Sequence, residues 1–359
     1  MAEPPLMDYL DAVALGTVCD VVPLKGVNRA FVAQGLKVMG MRKAVGMRTL
    51  MDVSGVDESP STYHAGFMLG PRINAGGRVG QSSLGMTLLS THDAEQASDI
   101  AHKLDEYNAE RKVIEQMVQE QAMEQATQQQ LAGRRVIMVA GEGWHEGVIG
   151  IVAGRIKEHT GLPTAVLSID GEIAKASARS VPGVDMGAAV VSARAEEVLI
   201  AGGGHAMAAG FSVASNSIAE LHSYLENRMA DAITAYELSK HLSLDAVVSA
   251  SALTAKLAHE MGKGAPYGMG NPSPRLAVSA ARIRKLDILK EQHIKVMIQS
   301  DEGGAYIKAM TFRSIDTPLG DMLIAGAKGR LMHFAGTLKL DYWQGREQVT
   351  FHIDDAAWT

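Results

Sequence analysis

A run of glycines that ends in a histidine is the segment of this chain best suited to bind a phosphate group. Gly202, Gly203 and Gly204 carry no side chain, so a ligand can approach their backbone closely, and positive φ is open to them. Backbone N–H groups in such a turn can form an anion-binding concavity, and His205 adds a donor or proton carrier beside it. The alanines that follow favour a helix start, whose N-terminus also attracts anions. The alternative is a glycine-rich turn with a structural histidine.

Two other groups of polar residues could bind a metal ion or a phosphate. Asp20 lies where an apolar run ends in a turn, so it is either a ligand for Mg²⁺ or Mn²⁺ or a capping residue. Arg72, Asn74 and Arg78 lie on a segment punctuated by glycine and proline, which predicts a loop. Two arginines on such a loop suit bidentate phosphate contacts, or are merely solvated.

A serine and an arginine on a predicted strand form a further candidate. Ser177 and Arg179 are two residues apart in a strand predicted over residues 173–180, so their side chains share one face. A hydroxyl and a guanidinium on one face suit a phosphate. An edge strand with solvated polar residues would show the same pattern.

The elements that position these residues follow from hydrophobic periodicity. Helices are predicted over residues 6–24, 27–56, 93–130, 151–157, 186–199 and 217–233, and strands over residues 135–140, 163–169, 173–180 and 211–213. Strand, glycine loop and helix in succession after residue 135 indicate an α/β domain with its ligand at the loop. The long helix over residues 93–130 is predicted to connect domains, because its apolar stripe is weak.

The last third of the chain predicts a small β-barrel or sandwich. Short alternating strands are expected over residues 275–280, 293–299, 305–312, 331–340 and 348–353. The segment is locally basic, and six of the chain's seventeen aromatic residues lie in it and could bind bases: Tyr306, Phe312, Phe334, Tyr342, Trp343 and Phe351. Basic and aromatic side chains on a small barrel suit single-stranded nucleic acid, although the same aromatics could form the barrel core.

Composition limits the class of protein. With 359 residues there is room for two or three domains, and 47% hydrophobic and 21% charged residues are ordinary for a globular protein. A net charge of −6 excludes a generally basic nucleic-acid coat. One cysteine excludes an internal disulfide and favours the cytoplasm, and no apolar run is long enough to span a membrane.

Six segments, in this order and spacing, resemble the RecJ family of single-strand-specific 5′→3′ DNA exonucleases, which belongs to the DHH phosphoesterase superfamily. The resemblance implies an α/β fold in four parts: the remnant of a DHH-type domain (1–90), a connecting helix (91–132), a DHH-associated α/β domain (133–238) and an OB-like barrel (239–359). The matching segments are Ala14–Leu24, Gly70–Arg78, Trp144–Gly150, Ser177–Ser180, Gly202–Gly210 and Tyr267–Pro272.

The resemblance also implies roles for individual residues. Asp20 resembles the family's last metal-ligating aspartate, at a site for two Mn²⁺ or Mg²⁺ ions. The loop with Arg72, Asn74 and Arg78 would face the DNA end, and Ser177 and Arg179 would contact its 5′-phosphate. The segment from Gly202 to His205 would close over the scissile phosphate, with His205 as a catalytic residue. We further expect a monomer that acts on single-stranded DNA, with a helicase or single-strand-binding protein as partner.

The chain departs from the family pattern in its metal ligands. The Asp-x-Asp pair, the further Asp and the Asp-His-His run that build the family's metal site do not occur before Asp20, and one aspartate cannot hold two metal ions. We therefore expect either an incomplete, inactive copy of the exonuclease or a shortened relative that binds single-stranded DNA without cutting it. A phosphoesterase for short oligonucleotides is a weaker third alternative. We also expect Val13, Leu15 and Val18 to be partly exposed.

Overall fold

The chain folds into two units, and the computed structural model describes residues 5–343 and 346–359. One unit comprises residues 39–241, and the other comprises residues 1–38 together with residues 242–359. Within the described ranges, no helix is long and apolar enough to cross a membrane. The helices are α1 (Leu10–Cys19), α2 (Gly26–Gly40), α3 (Val45–Val53), α4 (Gly70–Val79), α5 (Leu84–Ser90), α6 (Ala94–Leu131), α7 (Glu146–Thr160), α8 (Met186–Ala195), α9 (Ile218–Ser239), α10 (Ala255–Gly262) and α11 (Pro318–Gly326). The strands are β1 (Ile137–Glu142), β2 (Thr164–Asp170), β3 (Ile173–Arg179), β4 (Ala201–His205), β5 (Ala208–Ala214), β6 (Ala246–Val248), β7 (Arg275–Leu289), β8 (His293–Ser300), β9 (Ile307–Thr311), β10 (Leu331–Trp343) and β11 (Arg346–Trp358).

A five-stranded sheet forms the centre of the unit of residues 39–241. Its order is β1-β2-β3-β5-β4, with β1 and β2 parallel and the other neighbours antiparallel. Ala174, Ala176 and Ala178 point from β3 into an apolar core that α8 and α9 complete on one face. On the other face, α6 and α7 pack over β1 and β2 around residues such as Val139 and Val152. The same face of β3, β5 and β4 is left open beside α7.

The long helix predicted over residues 93–130 is confirmed as α6. It begins at Asp93, whose carboxylate accepts hydrogen bonds from the backbone N–H groups of Glu95 and Gln96. Val113 and Met117 share the helical spacing of its other apolar residues, which predicts burial, but both are exposed. Small residues such as alanines carry much of the packing, which is why the stripe was weak in the sequence.

Two glutamines near the C-terminal end of α6 bind the outer edge of β1. The amide of Gln125 donates to the carbonyl of Ala140 and accepts from its N–H, at 2.9 and 3.2 Å. Gln129 forms the same pair of bonds with Met138, at 2.6 and 2.9 Å. The side chains of a helix thereby take the place of a neighbouring strand.

The glycine-rich segment of residues 61–80 is helical, so the loop prediction was wrong. A π-helical turn, His64–Leu69, leads directly into α4. Gly76 lies where α4 packs on α6, and a Cβ there would lie 2.7 Å from the carbonyl oxygen of Gln81 and 3.2 Å from Leu104 Cδ2. The glycines permit close packing of a helix, which the local pattern cannot distinguish from a turn.

The prediction of a turn and helix start at the glycine–histidine segment was also wrong. The segment forms β4 and the alanines after it form β5, joined as a hairpin. None of Gly202, Gly203 and Gly204 has positive φ. A Cβ at Gly202 would lie 2.8 Å from Val190 Cγ1 on α8 and from Phe211 Cβ, so the strand needs glycine for close packing.

The strands after residue 274 form the expected OB-like barrel. The sheet runs β10-β11-β9-β8-β7-β6, and β10 also pairs with β7, which closes a five-stranded ring. A five-stranded Greek-key barrel is the architecture of the OB fold. β9 is shorter than predicted and the other four predicted strands are longer, and the sequence analysis missed β6, α10 and α11.

The segment that follows α1 packs against the turn of residues 267–272 in the same unit. The N–H of Leu24 donates to the carbonyl of Met269 at 2.7 Å, and a Cβ at Gly268 would lie 2.8 Å from Leu24 Cδ1. Leu15 is 3% exposed, so the prediction that it would be left uncovered was wrong, whereas Val13 is 39% exposed. The turn of residues 267–272 therefore has a packing role that its sequence did not indicate.

Candidate phosphate-binding site

Three polar side chains of β3 lie on the open face of the sheet. Lys175, Ser177 and Arg179 alternate with the buried alanines of the strand, so the pleat directs all three to one side. The register of β3, β5 and β4 places Ser177 in one row with Gly203, and Arg179 in the next row with His205. Two strand spacings, about 10 Å, separate the backbones of Arg179 and His205.

The N-terminus of α7 lies against these side chains of β3. His145 caps the helix, and its Nδ1 accepts a hydrogen bond from the N–H of Gly147 at 3.0 Å. A Cβ at Gly150 would lie 2.9 Å from Ser177 Oγ and 3.0 Å from Arg179 Nη2. Glycine at the fifth position of α7 therefore allows the helix to approach the strand, and the positive end of the helix dipole adds to the charge of Arg179. Glu146–Gly150 is helical, so α7 begins five residues before the predicted helix.

Arg78 reaches the same place from α4. Its Nη1 donates to the carbonyl of Gly147 at 2.9 Å. Burial lowers the pKa of Arg78, as does the charge of Arg111, and the pKa of Arg179 is lowered by burial and by the charge of Arg78. In the described part of the chain, no carboxylate forms an ion pair with Arg78 or Arg179. Two half-buried guanidinium groups thus share a site that a bound anion would stabilise.

A buried carboxylate joins the helices beneath this site. Glu115 is 2% exposed and pairs with Arg111 on its own helix, α6, and with Arg155 on α7. Arg111 also donates to Asn108 Oδ1 at 3.1 Å. The charge of Glu115 favours the protonated form of Arg78. Because one carboxylate serves several arginines, the cluster keeps an excess of positive charge.

An open cleft of about 390 Å³ lies over the sheet beside Ser177. Gly203 forms part of its floor, and a Cβ at this position would meet nothing within 4 Å. Lys175 and Glu146 also line the cleft, and their side chains form an ion pair of 2.9 Å. The cleft therefore runs from the hydroxyl of Ser177 to an ion pair.

The other predicted site residues of this unit are placed differently. Arg72 is held within its own unit, since Nε donates to Asp105 Oδ1 and Nη1 to the carbonyl of Met68, both at 2.7 Å. Asn74 is exposed on α4, and His205 is exposed at the end of β4. Gly204 lies between the rows of Gly203 and His205, and a Cβ at this position would collide with β5.

Sequence reasoning missed Lys175, Glu146 and Glu115. Lys175 could have been found, because it precedes Ser177 by two residues on the same predicted strand. Glu146 is the first residue of α7, but a loop was predicted there, so its place at the start of the helix was missed. Glu115 has the sequence context of any glutamate on a helix surface, and only the tertiary contacts bury it.

Models of known protein families match one segment in each of the two units. A DHHA1 domain family model matches residues 129–231, and a RecJ OB domain family model matches residues 244–355. The single-stranded-DNA-specific exonuclease RecJ of Dickeya dadantii is 32% identical over 364 residues, which cover 99% of this chain. The protein of the same name from Bacillus subtilis is 31% identical over 356 residues, which cover 98% of this chain. This chain belongs to the RecJ family.

A solved structure of a RecJ supports the same relation. The crystal structure of RecJ in complex with Mn²⁺ from Thermus thermophilus matches 99% of this chain with a TM-score of 0.81 and 26% identity. The match covers 50% of that RecJ chain, and the curated matches cover 62% of the Dickeya protein and 44% of the Bacillus protein. The chain thus spans about half the length of the relatives it matches.

RecJ structures have been solved with Mn²⁺ and with Mg²⁺, but the described residues of this chain do not supply such a site. Across residues 5–343 and 346–359, no group of three or more histidine, cysteine, aspartate or glutamate side chains could hold a metal ion. Asp20 is exposed and is the C-cap of α1, where its N–H donates to the carbonyl of Gly16. The described residues therefore do not fit the metal site that the resemblance to the family implies.

The RecJ OB domain carries a second polar face, on the outside of β8, β9 and β11. Phe312 is 53% exposed, and its ring makes edge contacts with His293 and His352 at centroid distances of 5.4 and 5.2 Å. Lys295 and Lys308 lie on the same outward face, because their strand neighbours point into the core. Phe334 and Phe351 are core residues, Tyr306 is exposed, and the side chains of Tyr342 and Trp343 lie outside the described residues.

Proposed function

We propose that this chain binds the 5′-phosphorylated end of single-stranded DNA and is the end-binding part of a RecJ-type 5′→3′ exonuclease of DNA repair and recombination. One observation carries the proposal. Arg78 and Arg179, without carboxylate partners among the described residues, meet at the N-terminus of α7 beside the Ser177 hydroxyl. A phosphate monoester is a compact dianion that two guanidinium groups, a hydroxyl and a helix N-terminus can bind together.

Each residue has a distinct part in this proposal. Arg179 and Arg78 neutralise the terminal phosphate, and Ser177 donates a hydrogen bond to it. Gly202, Gly203 and Gly204 leave the sheet beside the terminal phosphate without side chains. His205 lies about 10 Å from Arg179, which leaves room for one nucleotide and places the imidazole towards the next phosphate. Asn74, exposed on α4, offers the DNA a further polar contact, and Arg72 keeps its ion pair with Asp105.

The OB barrel is proposed to hold the DNA strand beyond its end. Phe312 offers an exposed ring for base stacking, and Lys295 and Lys308 offer charge for the phosphates. Stacking on aromatic side chains is tolerant of sequence because every base has a π-face. This unit therefore supports binding of DNA of any sequence.

We infer that this chain alone does not hydrolyse DNA. Phosphodiester hydrolysis by two metal ions needs several ligands, and only Asp20 is a candidate among the described residues. The second candidate function is therefore a protein that binds single-stranded DNA or its 5′-phosphate without cutting it. A helicase or a single-strand-binding protein remains a proposed partner of either form.

The test compares oligonucleotides that differ only in a 5′-phosphate or 5′-hydroxyl end, using fluorescence anisotropy. We expect preference for the phosphate in the wild type and a loss of about 10- to 100-fold in Arg179→Ala, as for one charge-assisted hydrogen-bonded group. Arg194→Ala, an exposed arginine on α8, is the matched control and should bind normally. Equal affinity for both ends would overturn the proposal.

A gel assay with Mn²⁺ on the same samples tests the inferred lack of hydrolysis. Unchanged oligonucleotide is expected at all times. Mn²⁺-dependent shortening from the 5′ end would mean that ligands of this chain complete a metal site after all.

A further inference from the structure

The cleft beside the proposed phosphate site ends in an ion pair that no predicted role explains. Lys175 lies two residues before Ser177 on the same face of β3, about 6.6 Å along the strand. Its ammonium group lies 2.9 Å from the Glu146 carboxylate, at the first residue of α7. Both side chains line the cleft, and both are about half exposed.

The ion pair lies where a group attached to the terminal phosphate of the DNA would extend. In the proposed function, the strand crosses the sheet along the row that contains Arg179 and His205. The cleft lies to one side of that path, over the rows of Ser177 and Lys175. A group attached to the terminal phosphate on the side of Ser177 would therefore enter the cleft.

The charges in the cleft do not suit additional phosphates. Lys175 is the one cation among the described residues that line it, and Glu146 already neutralises its charge. Two more phosphate groups would bring further negative charge next to the Glu146 carboxylate. Like charges a few ångströms apart repel even when partly solvated.

We propose that the Glu146–Lys175 pair makes the site specific for a 5′-monophosphate and rejects 5′-triphosphate ends. The inference rests on the proposed function, because it assumes that the terminal phosphate lies at Ser177 and Arg179. Glu146 repels the added phosphates and withholds the charge of Lys175 from them. The site thus selects DNA ends that carry one 5′-phosphate, and it rejects ends that keep the three phosphates of a nucleoside triphosphate.

The experiment measures the affinity of the full chain for one oligonucleotide with a 5′-hydroxyl, a 5′-monophosphate or a 5′-triphosphate, by anisotropy in the presence of a metal chelator. The wild type should bind the triphosphate about tenfold more weakly than the monophosphate. Glu146→Gln should remove most of that difference by freeing Lys175, and Lys175→Gln should widen it. Glu158→Gln, an exposed glutamate at the other end of α7, is the matched control and should behave as the wild type.

The outcomes separate this inference from the proposed function. If the monophosphate and hydroxyl ends bind equally, the proposed function fails and the inference falls with it. If the monophosphate is preferred but the triphosphate binds as tightly, the inference alone is overturned. A gain in Glu146→Gln that is equal for all three ends would place the strand itself in the cleft, and would also overturn it.

Discussion

Val21, directly after Asp20, has a left-handed backbone conformation with a φ of 56°. The N–H of Val22 donates to the carbonyl of Thr17 and that of Val21 to the carbonyl of Val18. These two bonds form a Schellman motif at the end of α1, in which the left-handed position usually holds glycine. A β-branched residue there is strained by about 1–2 kcal/mol.

Val21→Gly should therefore raise the free energy of unfolding of its unit by about 1 kcal/mol, because glycine adopts this conformation without steric strain. Urea unfolding followed by circular dichroism measures the change. Val27→Gly in the first turn of α2 is the control and should lower stability by about 0.5–1 kcal/mol. Equal losses in both variants would show that Val21 is not strained.

His352 gives the OB barrel a dependence on pH. Burial lowers its pKa from the ordinary value, and the charge of Lys339 lowers it further. The unfolded chain therefore takes up the proton at a higher pH than the folded chain, so stability rises with pH through this range. The contribution of His352 is present above its unfolded pKa of about 6.5 and is lost as pH falls towards the lower folded pKa.

His352→Gln should reduce the difference in urea midpoint between pH 5.5 and pH 7.5. His159→Gln, an exposed histidine on α7, serves as the control and should leave that difference unchanged. If the midpoint difference is the same in His352→Gln as in the wild type, a group other than His352 causes the pH dependence.

At the scale of elements, the three glycines of β4 have different surroundings. Gly203→Ala should fold normally but weaken binding of a 5′-phosphorylated strand, because its methyl group would enter the open cleft. Gly204→Ala should lower stability, because its Cβ would collide with the backbone of Ala208 and Ala209 in β5. Thermal unfolding and anisotropy separate the two effects. Equal stability of the variants would contradict the packing described for the hairpin.

The same elements show how far sequence patterns reach. Apolar strand patterns located β2 and β3, and the two-residue spacing on β3 located the shared face of Ser177 and Arg179. Glycine was misread twice, in α4 and in β4, because its role there is close approach to Leu104 and Val190. Such an approach depends on partners about 10 to 30 positions away in the chain, which no local window contains.

At the scale of the whole molecule, residues 1–38 fold with residues 242–359. The contact of Leu24 with the turn at Met269 joins parts of the chain that are remote in sequence. Hydrophobic periodicity describes each segment alone, so it located the barrel strands and the first helices but not the fact that they belong to one unit. Arg78 on α4 and the pair of Ser177 and Arg179 on β3 likewise come from separate segments, and only the fold brings them together.

Native-state hydrogen exchange should report the two units as two levels of protection. Amides of α1 should open with those of β7 and β10, and amides of α3 and α4 should open with the five-stranded sheet. Exchange followed by mass spectrometry at increasing urea concentrations measures this grouping. Joint opening of α1 with α3 and α4 would contradict the division at residue 38.

The glutamines of α6 reduce the tendency of the protein to aggregate. A sheet edge with unpaired N–H and C=O groups is a template for adding strands from other molecules, which leads to aggregation. The apolar edge strand β1 would be such a template, and Gln125 and Gln129 occupy its backbone groups at Ala140 and Met138. Two polar side chains of a helix thus oppose self-association. The sequence predicted this helix only as a connection between domains.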